Sequence, residues 1–511
     1  MLRRPLAALT ALAAIAVPLI GVPAHAADPD PGSTEQPPTS TPVTSTPAAA
    51  EALAAAEELT TPAAPPASPD APGGRDATMV LRDLRMQRDH LGTADRARAR
   101  AVLQRPATTQ KQCFTTFCIH WSTTGDDRAT ADYVAQVADV VSHVLSTYRA
   151  AGYRSPEPDG TRGGNNKLDI YLQDLGSQGL YGYCDSDDPP TGTGPFDAPA
   201  YCAFDNNYTE FPTNTPLENL QVTAAHELFH AVQFAYDYYE DSWFMEATAT
   251  WAEDEVYTDV NDNLQYLSES PLAQPGRSMD HFEQQGFRQY GDWIFFRWLT
   301  ERDPRRTGAL PNLIRGIWQR ADGSAGAPDN YSIQAVDRTL RARGSSLRRE
   351  WMLFTSANRR PAASYDEGRA NHYPVAPLSG RVTLTGRHRD SQVSRSIDHL
   401  AASTVRFQRG SGLAARSLRL TFDLPPTGRG MGAVLTTYFT SGRVSRSLVS
   451  LPGTGNGAVR RGFGPGVKAI EVTLSNAGIR YTHCYRGTAW SCQGTPLDND
   501  LPFKVRATAL R

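Results

Sequence analysis

The chain has 511 residues and carries 51 Lys and Arg against 54 Asp and Glu, for a net charge of −3 at pH 7. That balance excludes a polybasic nucleic-acid binder and leaves the charge of a substrate unconstrained. With 40% hydrophobic residues the chain can bury sizeable cores, and its length exceeds that of one ordinary domain.

Residues 1–26 carry Arg3 and Arg4, an apolar run from Leu6 to Val22 interrupted by Pro18, and the small-residue site Ala24-His25-Ala26. This reads as a signal peptide, which predicts a secreted, extracellular protein with no stable membrane insertion after cleavage. Residues 27–76 are rich in Pro, Ala, Ser and Thr, and are expected to be a disordered spacer or pro-segment. Within them Ala48 to Leu59 is compatible with a helix but has little on which to pack. Residues 77–106 show apolar side chains at helical spacing, with a second helix start at Thr93 and Asp95. They are expected to form a helical pro-region that could cover a cleft until removed, or else a plain structural helix pair.

A larger domain is expected over residues 107–370. Gln112 to Thr124, Leu168 to Leu175 and Ala200 to Asn206 read as strands, and Ala129 to Ala150 as an amphipathic helix. Thr215, Pro216 and Glu218 then give a helix start with a T-x-x-E capping box. That helix carries His226, Glu227 and His230 in the arrangement H-E-x-x-H. The i, i+4 spacing puts both imidazoles on one face, where they can reach a single tetrahedral zinc. Glu227, about 100° round the helix, misses the metal and can take a proton from water activated there.

A third protein ligand must come from further along the chain. Tyr236 stands where an extended three-histidine motif needs its last His, so that version is excluded. The stretch from Trp243 to Val256, WFMEATATWAEDEV, offers Glu246 and Glu253. Small residues from Ala247 to Thr250 favour Glu246 by letting the two helices approach closely. Glu253, two turns on, reads better as a residue that orients a ligand, with the metal as its alternative. Gln233 and Asp237 share a face with His230 and could orient ligands or form a buried polar pair.

HELFHAVQFAYD followed by WFMEATATWAEDEVY resembles exported bacterial zinc metallopeptidases of the gluzincin type, over roughly Leu81 to Asp366. The resemblance implies an α+β fold with a zincin-like domain, one catalytic Zn²⁺ held by His226, His230 and Glu246, and Glu227 as the base. It also implies a protein or peptide substrate, in a fold where an edge strand pairs with extended substrate. Ala247 stands where glycine is also common. A non-proteolytic zinc hydrolase, such as a cell-wall amidase, and a surface binding protein with a structural metal are the competing expectations.

Helices are expected again at Tyr290 to Leu299, Leu310 to Trp318, Ile333 to Leu340 and Leu347 to Ala357. A tyrosine or histidine is needed to stabilise an oxyanion, with Tyr238, Tyr239, Tyr257, Tyr290 and His281 as candidates. Residues 375–511 switch to short alternating runs between Gly and Pro turns, which predicts a C-terminal β-sandwich able to hold an extracellular or cell-surface ligand. Cys113 with Cys118, Cys184 with Cys202 and Cys484 with Cys492 form three close couples, expected as local disulfides. The acidic clusters Asp185, Asp187, Asp188 and Asp259, Asp262 are candidates for structural Ca²⁺.

Overall fold

The computed structural model describes residues 44–62 and 77–511. The expected signal peptide and most of the Pro-rich spacer lie outside the described residues. The remainder of that spacer corrects the expectation of disorder: Pro47–Glu58 is a helix, α1, with Pro47 in its first turn and the Thr46 side chain accepting from Ala49 N. Its alanines do find a partner. Ala49, Ala52, Leu53 and Ala56 pack against α2 (Thr78–Gln87) and α3 (Thr93–Val102) in an apolar cluster that also takes in Tyr171, Tyr201 and Ala203. The partner surfaces lie more than twenty residues away, beyond the reach of local pattern.

A five-stranded mixed sheet follows, in the order β1-β2-β3-β5-β4. Its strands are β1 (Gln110–Cys113), β2 (Phe117–Trp121), β3 (Leu168–Gln173), β4 (Gly182–Asp185) and β5 (Tyr201–Asp205). The inner strands β2, β3 and β5 run parallel, and β1 and β4 are antiparallel edges. Helix α4 (Ala131–Ala150), capped by Thr130, buries Val134, Val137, Val141, Val144 and Tyr148. Helix α5 (Pro216–Phe234) begins at the expected capping box: Glu218 N donates to Thr215 Oγ1 at 3.3 Å, and Thr215 N to Glu218 Oε2 at 2.8 Å. It packs across β4 and β5 and against α6 (Ser242–Val256). Ala247 and Ala249 of α6 are fully buried, and residues this small let the two helix backbones approach.

Helices α7 (Arg288–Gly291), α8 (Trp293–Arg302), α9 (Asn312–Trp318), α10 (Ser332–Ala342) and α11 (Leu347–Ala357) complete this half, with the two-residue strands β6 (Arg306–Thr307) and β7 (Leu310–Pro311). Leu228 and Phe229, Phe244, Phe296 and Trp318 join in one core that spans α5, α6, α8 and α9.

From residue 380 the chain is built of strands: β8 (Gly380–Leu384), β9 (Asp390–Ile397), β10 (Ala401–Arg409), β11 (Ser417–Asp423), β12 (Met431–Phe439), β13 (Val444–Leu448), β14 (Asn456–Gly462), β15 (Val467–Asn476), β16 (Tyr481–Thr482), β17 (Thr495–Pro496) and β18 (Leu501–Leu510). They form one sheet in the order β13-β12-β15-β10-β8 and another in the order β14-β11-β18-β9. Alternate residues point inward, as the two-residue period of a strand requires. Phe407, Leu435 and Val472 of the first sheet share a core with Leu420, Phe422 and Val505 of the second. The molecule is thus α+β. All three close cysteine couples form local disulfides: Cys113–Cys118, Cys184–Cys202 and Cys484–Cys492. No helix among the described residues is long and apolar enough to cross a membrane.

Candidate metal centre

Helix α5 sets His226 and His230 one turn apart, with ring centroids 4.7 Å from each other. Helix α6 brings Glu246, fully buried, between them. Its Oε2 lies 3.0 Å from His226 Nε2 and its Oε1 lies 3.3 Å from His230 Nε2. The ligand atoms of His226, His230 and Glu246 all fall within 4.8 Å of one another, so this group could hold a metal ion.

The hydrogen bonds around the group fix which nitrogens face inward. His226 Nδ1 is 2.5 Å from Glu253 Oε1, and His230 Nδ1 is 2.7 Å from Gln233 Oε1. With a metal bound, these acceptors would each hold a δ proton and leave the Nε2 of both rings as the lone-pair side turned toward Glu246. Gln233 is itself held by Met245 O at 2.9 Å and Thr248 Oγ1 at 3.1 Å. His230 Nε2 and Glu246 Oε1 are buried without a hydrogen-bond partner. Two nitrogen lone pairs and a carboxylate converging in a buried slot repel one another unless a cation lies between them. The donor set fits a metal ion on that ground.

The titration behaviour has the same origin. Burial alone would lower His226, but hydrogen bonds to Glu246 and Glu253 outweigh it and hold the imidazole well above its ordinary value. Burial would raise Glu246, and the two imidazoles overcome it to hold the carboxyl well below the usual range. Glu253 is pushed up to about 8 by burial, and Glu227 is raised by burial too. A proton in the slot and a metal ion are therefore exchangeable occupants.

Glu227 lines, with His226 and Glu253, a cleft with about 60 Å³ open to water, bounded by Gly182 of β4, Val222 and Tyr290. A Cβ on Gly182 would lie 3.2 Å from Glu227 Cγ, so the glycine allows the strand its close approach. Sulfur of the Cys184–Cys202 disulfide touches the Glu227 carbonyl oxygen, 2.9 Å from Cys184 Sγ. Of the oxyanion candidates, Tyr290 alone borders this cleft, with its ring stacked 5.8 Å from His226. Tyr238 is fully buried elsewhere, Tyr239 donates to Pro190 O, Tyr257 lies beside His143, and His281 lies beside Trp490.

Asp237 does not reach the ligands: it accepts from Tyr239 N at 2.7 Å. The acidic clusters proposed for calcium have other partners. Asp185 faces Arg85 at 2.7 Å, Asp187 faces Arg105 at 2.5 Å, Asp188 pairs with Arg162, and Asp262 accepts from Asn214 and Gln265. A guanidinium satisfies a carboxylate without any ion, and among the described residues no second trio of ligating side chains converges.

The sequence reading missed Tyr181 and Tyr266 as cleft residues, and also the brace on α6. Asp241, at the start of α6, accepts from Cys492 N at 2.8 Å and Ser332 Oγ at 2.5 Å, and Trp243 Nε1 donates to Ser491 Oγ at 3.1 Å. The Cys484–Cys492 loop thereby anchors the helix that carries Glu246. No local pattern announces a contact spanning some 250 residues.

No family model matches the chain, and no curated protein matches it. Among solved structures, the pre-peptidase C-terminal domain of a Bacillus anthracis collagenase matches at 12% identity and TM-score 0.16, covering 26% of this chain and 97% of that one. The Aeromonas hydrophila periplasmic inhibitor of g-type lysozyme matches at 11% identity and TM-score 0.14, over 26% of this chain and 96% of its own. A family GH115 4-O-methyl-α-glucuronidase matches at 9% identity and TM-score 0.13, over 71% and 54%. Likenesses this weak carry no functional argument.

Proposed function

We propose that the chain is an exported, zinc-dependent endopeptidase with a zincin-like catalytic half and a C-terminal β-sandwich. The observation that carries the reading is the pair of imidazoles whose Nδ1 atoms contact Glu253 and Gln233, so that both Nε2 atoms face Glu246 across a buried slot beside Glu227. Two imidazoles and one carboxylate are a catalytic zinc set with one position open. A zinc ion held by His226, His230 and Glu246 would supply a Lewis acid that polarises a carbonyl and makes water nucleophilic at neutral pH.

The rest of the chemistry belongs to the chain. Glu227, raised by burial, is a stronger proton acceptor than an ordinary carboxylate, and in this reading it takes the proton of the attacking water and returns it to the leaving amine. Strand β4 is an edge of its sheet, and in this reading that edge would receive an extended peptide and orient the scissile bond along α5. Tyr290 is the residue this reading assigns to the developing oxyanion. Glu253 and Gln233 hold the two imidazoles in the tautomer the metal needs.

The test is casein hydrolysis by the zinc-loaded chain, intact and after limited proteolysis, beside a Glu227→Gln variant. Hydrolysis that disappears in the variant while zinc is retained supports the reading. Hydrolysis that persists in Glu227→Gln refutes the role of the base, and zinc-independent hydrolysis refutes the metal.

A further inference from the structure

The N-terminal helices sit directly on the candidate site. Thr78 opens α2, and its Oγ1 donates to Glu227 Oε2 at 2.9 Å while accepting from Cys184 N at the same distance. Cys184 lies on the edge strand β4, opposite Cys202, with a Cα–Cα distance of 4.0 Å. Pairs that close in an antiparallel ladder are the non-hydrogen-bonded ones, so the Cys184 N–H points away from β5 toward the open edge. One threonine thus occupies the general base and the strand donor that an incoming peptide would use.

Four further features describe how residues 44–62 and 77–103 lie on the rest of the chain. Most of their apolar side chains share one cluster with Tyr171, Leu175, Leu180, Tyr201 and Ala203, while Met79 and Met86 pack against the main core. Polar anchors add to the contact. Arg85 pairs with Asp185 of β4 through Nε at 3.1 Å and Nη2 at 2.7 Å, and Arg82 donates to Glu240 O at 2.9 Å and Ser242 Oγ at 2.6 Å. A cavity of about 380 Å³ remains between α1, α2 and the Trp243 and Trp490 side chains, so the fit on that flank is incomplete. The irregular connection 104–109 that ends the module is exposed at Gln104, Ala107 and Thr109.

We propose that the helices of residues 44–62 and 77–103 are an intrachain inhibitor, with Thr78 as the residue that closes the site. Docked, the module engages Glu227 and masks β4. Released by a cut in the 104–109 connection, it frees both. This rests on the peptidase reading for its consequence and on the Thr78 contacts for its geometry.

The experiment uses the full chain with a site-specific protease sequence inserted after Ala107. Intact and cut forms are loaded with zinc, and the cut form is separated from the module by gel filtration in sub-denaturing urea, because salt screens a buried pair such as Arg85–Asp185 only weakly. Two readouts are taken, casein cleavage and hydrogen exchange of the Gly182–Asp185 amides. The expected result is an intact chain with protected amides and at most a tenth of the released chain's rate. Thr78→Ala should raise the intact rate severalfold. Equal rates before and after release, or β4 amides equally protected in both forms, would overturn the proposal. Release that activates while Thr78→Ala changes nothing would remove Thr78 from its part. No cleavage by any form, with β4 unmasked on release, would support the masking and sink the peptidase reading instead.

Discussion

Gly182 sets how closely the edge strand can lie on the motif helix, and substituting it tests that geometry directly. A Cβ there would stand 2.8 Å from Thr223 Cγ2, 3.0 Å from Ala203 O and 3.2 Å from Glu227 Cγ. The first distance is one that real Cβ atoms do not tolerate, and Thr223 is a buried residue of α5 with little room to withdraw. Forcing a methyl into such a contact costs about 1–3 kcal/mol. The strain can relax only by moving β4 off α5 or by turning Glu227, and a misplacement of order 1 Å at the base lowers the rate by up to ~10²-fold. Gly182→Ala should therefore lower the urea midpoint and reduce casein hydrolysis by the released chain about tenfold or more. Adding Thr223→Ser removes the nearest atom and keeps the hydroxyl, so it should restore part of both losses. Unchanged stability and rate in Gly182→Ala would refute the close approach. A double variant no better than the single would refute Thr223 as its cause.

Three other outcomes follow from the same contacts. Replacing Cys184 and Cys202 by alanine opens a loop closed across 18 residues, and the loop-entropy relation puts the lost stability at about 3 kcal/mol, read as a lower urea midpoint; no change would contradict the account. Glu253→Ala should weaken zinc affinity by about 10–100-fold in a chelator competition and leave one metal per chain at saturation, because Glu253 orients His226 and does not ligate. Loss of stoichiometric zinc would make it a ligand. Burial raises Asp254 to about 7, Glu301 to about 7 and Asp241 to about 6. Between pH 4 and 7 the folded chain then binds more protons than the unfolded one, so its stability falls as pH rises through that window. Urea unfolding of the metal-free chain should show a lower midpoint at pH 7.5 than at pH 5.5, and the opposite order would refute the assignment.

The parts of the site legible in the sequence are those written in local spacing. His226, Glu227 and His230 could be placed on a helix because the Thr215–Glu218 capping box and the i, i+4 period are contained in nineteen residues. The small residues after Glu246 favoured it over Glu253 at that level without deciding between them, since both lie on one face of α6. Only the tertiary meeting of α5 and α6 puts Glu246 against the Nε2 atoms and Glu253 against Nδ1. Strand β4 was not visible at all. Gly182–Asp185 is four residues long, flanked by Gly- and Pro-rich turns, and owes its extended form to pairing with β5 and to the disulfide. Helix α1 was legible as a helix over Ala48 to Leu59 but not as a packed one, since its alanines are stabilised by surfaces on α2 and α3. The alternating runs after residue 380 announced strands correctly, but their order in two sheets depends on pairings as distant as β9 with β18.

The central claim is that His226, His230 and Glu246 hold one zinc beside a base that does not touch it. Metal content by plasma mass spectrometry, after incubation with zinc and gel filtration, tests it on the wild-type chain, Glu246→Ala and Glu227→Gln. The account predicts one zinc per chain in the wild type and in Glu227→Gln, and its loss in Glu246→Ala. A wild-type chain that retains no zinc, or a Glu246→Ala chain that retains it in full, would contradict the account.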